Sequence, residues 1–262
     1  AGLALMEAHW PDPAPRRAFE LACGIGHYLR ALHQRGVACT GADVVFAKLW
    51  VARHWVAPSA DLICLDAAMF PWPMADGARF DLVACHDAFY FLEPKGPILD
   101  RLRQLAGPDG WLAVGHVHNR DWPNLSAGAS VTAAELAALF PDGTVYDDAE
   151  LTRAAVERRT PRSAPPGALT GAEAFSVVAG PGLAPVRPIS GALALPPEGA
   201  ALRRNPLYHG DAIAWPSERY EREYGPRATY PARPTGPESA TAGAATAEWA
   251  MRRELLDLPE RW

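Results

Sequence analysis

Apolar and polar positions alternate in blocks over the first half of the chain. Short, near-continuous apolar runs at residues 18–22, 38–43, 61–65, 80–85 and 111–116 are separated by stretches whose apolar residues recur at helical spacing, at 28–35, 46–56 and 97–106. Runs of that kind fit strands covered on both faces, as in a parallel sheet flanked by helices. The last helical stretch ends in the turn Gly107-Pro108-Asp109-Gly110. This repeat of strand and helix predicts an α/β fold with a doubly wound, mostly parallel sheet.

After Asn119 the pattern changes. Ser130 and Thr132 precede a predicted helix over 133–140, with Glu135 near its start and Pro141-Asp142-Gly143 as its stop. Residues 144–146 and 175–179 read as a final antiparallel pair of strands, joined by a proline- and glycine-bearing excursion over 160–171. Beyond Gly180 prolines are frequent and periodicity fades, so a domain over 1–180 followed by a proline-rich, irregular C-terminal extension over 181–262 is expected. Its aromatic residues Tyr208, Trp215, Tyr220, Tyr224 and Tyr230 suit packing on or near the substrate side, or a contact with a second copy or partner protein. Within it only 247–256 reads as a helix, and the charged run 219–223 as a solvated helix face.

Composition narrows the class. Of 262 residues, 49% are apolar and 21% charged, the values of a globular protein, and no apolar run approaches the ~18 residues of a membrane span. The opening residues carry Glu7 and His9 and lack a basic region followed by an apolar stretch, which gives no secretory signal and points to the cytoplasm. Cys23, Cys39, Cys64 and Cys85 have no metal-ligand spacing and read as reduced core thiols. Net charge is −5, lysine occurs only at 48 and 95, and arginine is spread along the chain, which argues against a nucleic-acid partner.

Candidate chemistry centres on Glu20-Leu21-Ala22-Cys23-Gly24-Ile25-Gly26-His27, an apolar strand running into a glycine turn and a helix. Glycines there permit close backbone approach, and the helix start offers N–H groups to a ligand. A plain strand-to-helix turn is the alternative. Asp43, nineteen residues after Gly24, ends the second strand, and Asp66 follows the third, both at the edge where open α/β sheets bind ligands.

Taken in order, several motifs resemble those of the class I S-adenosylmethionine-dependent methyltransferase family. They are the loop from Glu20 to Gly26, Gly41-Ala42-Asp43, Leu65-Asp66-Ala67 with Phe70-Pro71-Trp72, Phe80-Asp81-Leu82-Val83, and the helix, turn and strand containing Leu105 and Gly110-Trp111-Leu112. The resemblance covers the chain to about Gly180 and implies a Rossmann-like, seven-stranded sheet with S-adenosyl-L-methionine as cofactor. It implies a cofactor set of Glu20, Ala22, Cys23, Gly24, Gly26, Asp43, Val44, Asp66, Ala67 and His86. Gly24 and Gly26 would approach the methionine portion, Asp43 the ribose, Asp66 and Ala67 the adenine, and Glu20 the loop or the amino group. Ala22 departs from the family pattern by standing where the first glycine is usual. A NAD(P)-dependent oxidoreductase is the rival enzyme, disfavoured by the missing third glycine and by Glu20. A non-catalytic cofactor-binding partner subunit is the rival of another class.

Methyl transfer needs an aligned acceptor and exclusion of water. Orientation can supply effective molarities of ~10⁵–10⁸ M, against ~10²–10⁴-fold from a general base. The segment Cys85-His86-Asp87-Ala88-Phe89-Tyr90-Phe91 follows the fourth strand and borders the expected methyl position. His86, Asp87 and His116 are the catalytic candidates, and Tyr90 and His118 the substrate contacts, while the aromatic residues of this segment also suit plain packing. His27 and Tyr28 divide between a cofactor contact and ordinary exposure. Alternation puts His116 and His118 on one side of their strand, but no third ligand is identifiable, so no metal is expected. Asn205-Pro206-Leu207-Tyr208 superficially resembles the amine-gripping motif of DNA amino-methyltransferases but reads as a turn, lying far from the fourth strand. The expected activity is methylation of a hydroxyl or amine on a small-molecule acceptor, in specialised metabolite biosynthesis.

Overall fold

A computed structural model describes residues 1–123 and 128–259. It divides into two compact units, Ala1–Ser190 and Gly191–Trp262. The first unit runs through α1 (Gly2–Ala8), β1 (Arg17–Leu21), α2 (His27–His33), β2 (Ala38–Asp43), α3 (Phe46–Val51), β3 (Asp61–Cys64), β4 (Leu82–His86), α4 (Lys95–Ala106), β5 (Trp111–His118), α5 (Ala133–Leu139), β6 (Thr144–Asp147), α6 (Asp148–Glu157) and β7 (Ala174–Ala179).

Seven strands form one sheet in the order β3-β2-β1-β4-β5-β7-β6. β1 pairs in parallel with both β2 and β4, so the winding reverses between them. A reversal of that kind opens a crevice at the carboxyl ends of the strands, where ligands of doubly wound sheets bind. β7 is antiparallel to β5 and β6, with Val145 opposite Val177. The core joins Phe19, Val83, Leu112, Val114 and Val177 of the strands to Ile98, Leu99, Leu102 and Leu105 of α4 and Leu136 of α5. The spacing of the α4 residues makes one buried stripe, as an amphipathic helix on a sheet requires. Thr132 caps α5 by accepting from the Glu135 N–H while the Glu135 carboxylate accepts from the Thr132 N–H, a reciprocal capping box.

Several elements differ from the sequence reading. α1 is not among the predicted elements: it is a short, largely apolar turn of helix whose two polar side chains, Glu7 and His9, are buried on distant partners. Glu7 Oε1 accepts from the Ser190 N–H at 2.6 Å and its hydroxyl at 2.8 Å, and the His9 ring lies 2.7 Å from the Tyr146 hydroxyl. The predicted helix over 46–56 is regular only through Val51, after which Ala57 N–H reaches back to Ala52 O in a wider turn. α6 was also unforeseen; the Asp147 carboxylate caps it by accepting from the Ala149 N–H at 2.9 Å. β5 reaches His118, with an irregularity in its pairing between Val114 and Val117. Cys23, Cys39 and Cys85 are buried free thiols, but Cys64 lies exposed on the edge strand β3 instead of in the core. Among the described residues no helix is long and apolar enough to cross a membrane.

The second unit carries more regular structure than its composition suggests. β8 (Ala201–Arg204) is flanked by β11 (Ser239–Thr241) and β12 (Leu255–Leu256), both antiparallel to it. Between them lie the short pair β9 (Tyr208–His209) and β10 (Ala212–Ile213), then α7 (Glu218–Tyr224). The tail helix, α8 (Ala247–Met251), covers only the first half of the predicted helix over 247–256, whose last residues enter β12. Leu202, Ala242, Ala250 and Leu255 make a small core. Buried Glu254 accepts hydrogen bonds from Thr235 and Gly236, which ties the loop before β11 to the end of α8. Tyr230 packs against Tyr208 and Trp215 within this unit. Asn205 to Tyr208 is a turn, with Tyr208 N–H on Asn205 O at 3.0 Å and Leu207 N–H on Asn205 Oδ1 at 3.0 Å.

Candidate active site

The turn after β1 is built from left-handed backbone, with φ of +56° at Ala22, +58° at Gly24 and +82° at Gly26. Glycine adopts this region without steric cost, whereas Ala22 does so at a cost of about 1 kcal/mol. Asp43 at the end of β2 holds the turn closed. Its Oδ2 accepts from the Gly24 N–H at 2.9 Å and its Oδ1 from the Val45 N–H at 2.8 Å, while Cys23 N–H donates to Ala42 O at 3.0 Å. Among the described residues, its chain neighbours aside, no atom lies within 4 Å of the place a Cβ on Gly24 would take, so the turn faces open space there.

Glu20 is buried, and its Oε2 has no hydrogen-bond partner among the described residues. Burial, and then the negative charge of Asp43, raise its carboxyl well above the usual carboxylate range. A buried carboxylate oxygen left unpaired is costly, and a cationic ligand group would relieve it. Val44, exposed, follows β2. After β3, Asp66 Oδ1 accepts from the Ala68 N–H at 2.9 Å, and buried Ala67 receives the Trp72 indole N–H on its carbonyl at 3.1 Å. Phe70 stacks on Trp72 at 5.7 Å.

The ends of β4 and β5 carry the titratable side chains. His86 is buried under Tyr28 of α2, ring centroids 4.5 Å apart, and neither of its nitrogens has a hydrogen-bond partner among the described residues. Burial, and next the charge of His27, push its pKa down to about 3. Gly115 lies opposite His86 in the register, and a Cβ there would collide with the His86 Nδ1, so this ring position demands glycine on β5.

Asp87 and His116 both have left-handed backbone, each with φ of +54°. Tyr90 donates its hydroxyl to Asp87 Oδ1 at 3.4 Å and meets the His118 ring edge-on at 4.4 Å. The His116 and His118 rings lie 4.9 Å apart, and His116 Nε2 is 3.7 Å from Asp87 Oδ1. On its other side, His116 Nδ1 lies 2.6 Å from Asp148 Oδ2. A carboxylate accepts, so Nδ1 carries the proton and Nε2 is the nitrogen turned toward Asp87. Asp148 in turn accepts a short hydrogen bond from the Ser176 hydroxyl, whose oxygen accepts from the His116 backbone N–H at 3.2 Å. Burial alone would raise the Asp148 carboxyl, but the hydrogen bond and charge of His116 outweigh it and hold the pKa at about 2.

The structure therefore brings Asp87, Tyr90, His116 and His118 together, and sets His86 apart beneath Tyr28. Phe89 is a core residue packed on Phe140, and Phe91 is exposed. Asp148 and Ser176 are new to the site. The one signal for Asp148 was the acidic pair Asp147-Asp148 ahead of a helical stretch; Ser176 lies in an otherwise apolar strand and gave none.

Residues 19–114 match the family model described as a methyltransferase domain. No curated protein matches the chain. Among solved structures it is similar to the plantazolicin methyltransferase BpumL in complex with a pentazolic desmethylPZN analog and SAH, at 18% identity over 50% of this chain and 59% of that one, TM-score 0.42. It is also similar to the O-methyltransferase of a trans-AT PKS multienzyme of Brevibacillus brevis, at 11% identity over 57% of this chain and 55% of that one, TM-score 0.45. A third likeness is a TehB-like SAM-dependent methyltransferase from Corynebacterium glutamicum, at 18% identity over 68% of this chain and 85% of that one, TM-score 0.48. The chain spans less than two thirds of the length of the first two.

Proposed function

We propose that this chain is a class I S-adenosylmethionine-dependent methyltransferase that carries the methyl group to a hydroxyl or amine of a small-molecule acceptor held at the carboxyl ends of β4 and β5. The cofactor, when bound, supplies an electrophilic methyl group on a sulfonium. The residues around the turn fit it: an unpaired buried Glu20 oxygen suits its ammonium, and the open left-handed turn suits its backbone-like methionine portion. Glu20 and the backbone at Ala22, Cys23, Gly24 and Gly26 would hold that portion. Asp43 with Val44 would hold the ribose, and Asp66 with Ala67 the adenine.

The observation that carries the acceptor reading is the convergence of Asp87, Tyr90, His116 and His118 beside the β1–β4 crevice. Asp87 and His116 touch the acceptor's nucleophile and fix its direction, and Tyr90 and His118 line the pocket. His86, neutral with a pKa near 3 and walled in by Tyr28, shapes the methyl end of the cofactor site and is too weak a base to take a proton at neutral pH. The buried free thiols suit the cytoplasm, and small-molecule acceptors suit specialised biosynthesis.

The test is turnover. The full chain is incubated with S-adenosylmethionine and a panel of small phenols, alcohols and amines, and formation of S-adenosylhomocysteine is followed. Product with one acceptor class, reduced at least ~10²-fold by His116→Ala while S-adenosylhomocysteine binding persists, supports the reading. Tight cofactor binding with no turnover in any class would instead favour a non-catalytic cofactor-binding subunit.

A further inference from the structure

We propose that Asp87, His116 and His118 form a binding site for a first-row divalent cation on the acceptor side of the site. The role of the ion rests on the methyltransferase reading above, but its binding does not. One donor atom from each of the three residues lies within 4.8 Å of the others, and no other group of three such side chains is found among the described residues. His116 Nε2 and Asp87 Oδ1 are already 3.7 Å apart. Bonds of ~2.0–2.2 Å to one ion put neighbouring donors at about 3–3.5 Å, so a small inward movement closes the set. Asp87, exposed in the turn that follows β4, is the side chain with room to make that movement.

The surroundings are those of a supported ligand set. Asp148 holds the far nitrogen of His116, as carboxylates commonly do behind metal-bound histidines, and Ser176 fixes Asp148. Tyr90 restrains the other two ligands at once, by its hydroxyl on Asp87 and its ring on His118. The irregular pairing of β5 at His116 turns that side chain toward its partners, the common use of such a bulge next to a site.

Two imidazoles and one carboxylate suit Zn²⁺, Mn²⁺, Fe²⁺ or Co²⁺ over Mg²⁺ and Ca²⁺, which prefer all-oxygen sets. Three protein ligands leave room for the acceptor's oxygen. Bound there, a hydroxyl acceptor has its pKa lowered and gives its proton to solvent water, with His116 serving as ligand and not as proton acceptor.

The full chain, dialysed against a chelator, is titrated with Co²⁺ and Zn²⁺, and Co²⁺ binding is read by visible absorption. One equivalent is expected, with the Co²⁺ spectrum abolished by His118→Ala and by the mild surface change Asp87→Asn. Asp148→Asn should weaken binding by about 10–100-fold, and His54→Ala should leave it unchanged. Absence of one-equivalent binding, or binding indifferent to Asp87→Asn and His118→Ala, overturns the site. S-adenosylhomocysteine binding, measured on the same samples, separates the two readings: its absence defeats the methyltransferase reading, and its presence without metal binding defeats only the metal site.

Discussion

The turn after β1 and the wall after β4 and β5 lie at the same edge of one sheet, but they are made of different material. The turn presents mainly backbone. Its geometry comes from three left-handed residues and from one carboxylate, Asp43, that accepts two N–H groups. The wall presents side chains, Asp87, Tyr90, His116 and His118, each held by another side chain or by an irregular strand. A surface of backbone atoms tolerates sequence change so long as the torsions survive; a wall of side chains can be redirected by single substitutions.

His116→Ala should break the comparison hardest on one side. It removes the group at the centre of the wall and should lower kcat by about 10²–10⁴-fold, with the Kd for S-adenosylhomocysteine changed less than about twofold. Equal losses in both quantities would mean that wall and turn are not separable. Asp43→Ala should do the reverse. Two charge-assisted hydrogen bonds that close the turn are lost, each worth roughly 1.5–3 kcal/mol, so calorimetry should show cofactor affinity down by about 100-fold or more.

The contrast also explains what could be read from the sequence. Strand and helix alternation, the glycine turn and the spacing to Asp43 are local or ordered along the chain, and each has a backbone requirement that few residue types meet. The wall is assembled by long-range pairing. Asp148 reaches His116 from the helix after β6, and Ser176 comes from a strand running antiparallel to β5, so their place depended on a topology that the local pattern does not specify. Spacing alone gave His116 and His118 no third partner, because Asp87 meets them across neighbouring strands. Likewise α1 was hidden because the partners that let Glu7 and His9 be buried, Ser190, Ala184 and Tyr146, are more than a hundred residues away.

Glu20→Gln should sharpen the comparison more gently, with effects of opposite sign. In the cofactor-free chain the raised Glu20 pKa means that the folded state binds more protons than the unfolded one. Stability from this group is therefore present below the ordinary carboxylate pKa and is lost as pH rises through the folded value. Neutral glutamine escapes that loss, so the variant should gain on wild type as pH rises above about 4.5, reaching a few degrees in Tm. Cofactor affinity should fall by about tenfold, since the ammonium loses its charged partner. A variant less stable than wild type at neutral pH would show that Glu20 is compensated in the free protein.

The smallest effect is expected from cutting the chain after Ser190, and its size depends on where the first unit closes. Arg187 N–H donates to Ala8 O, Ile189 N–H donates to Arg159 O, and Ser190 makes two hydrogen bonds to the Glu7 carboxylate, so residues past Gly180 complete the unit around α1. A chain ending at Ser190 retains all of these and should bind S-adenosylhomocysteine within about twofold of the full chain. One ending at Gly180 leaves the buried Glu7 carboxylate without its Ser190 donors. Hydrogen bonds to a charged group are worth ~1.5–3 kcal/mol each, and 1 kcal/mol corresponds to ~2–4 °C at this size, so its Tm should drop by several degrees further. Equal stability of the two truncations would show that the returning segment adds nothing to the fold, while loss of cofactor binding at Ser190 would show that the turn depends on residues beyond it.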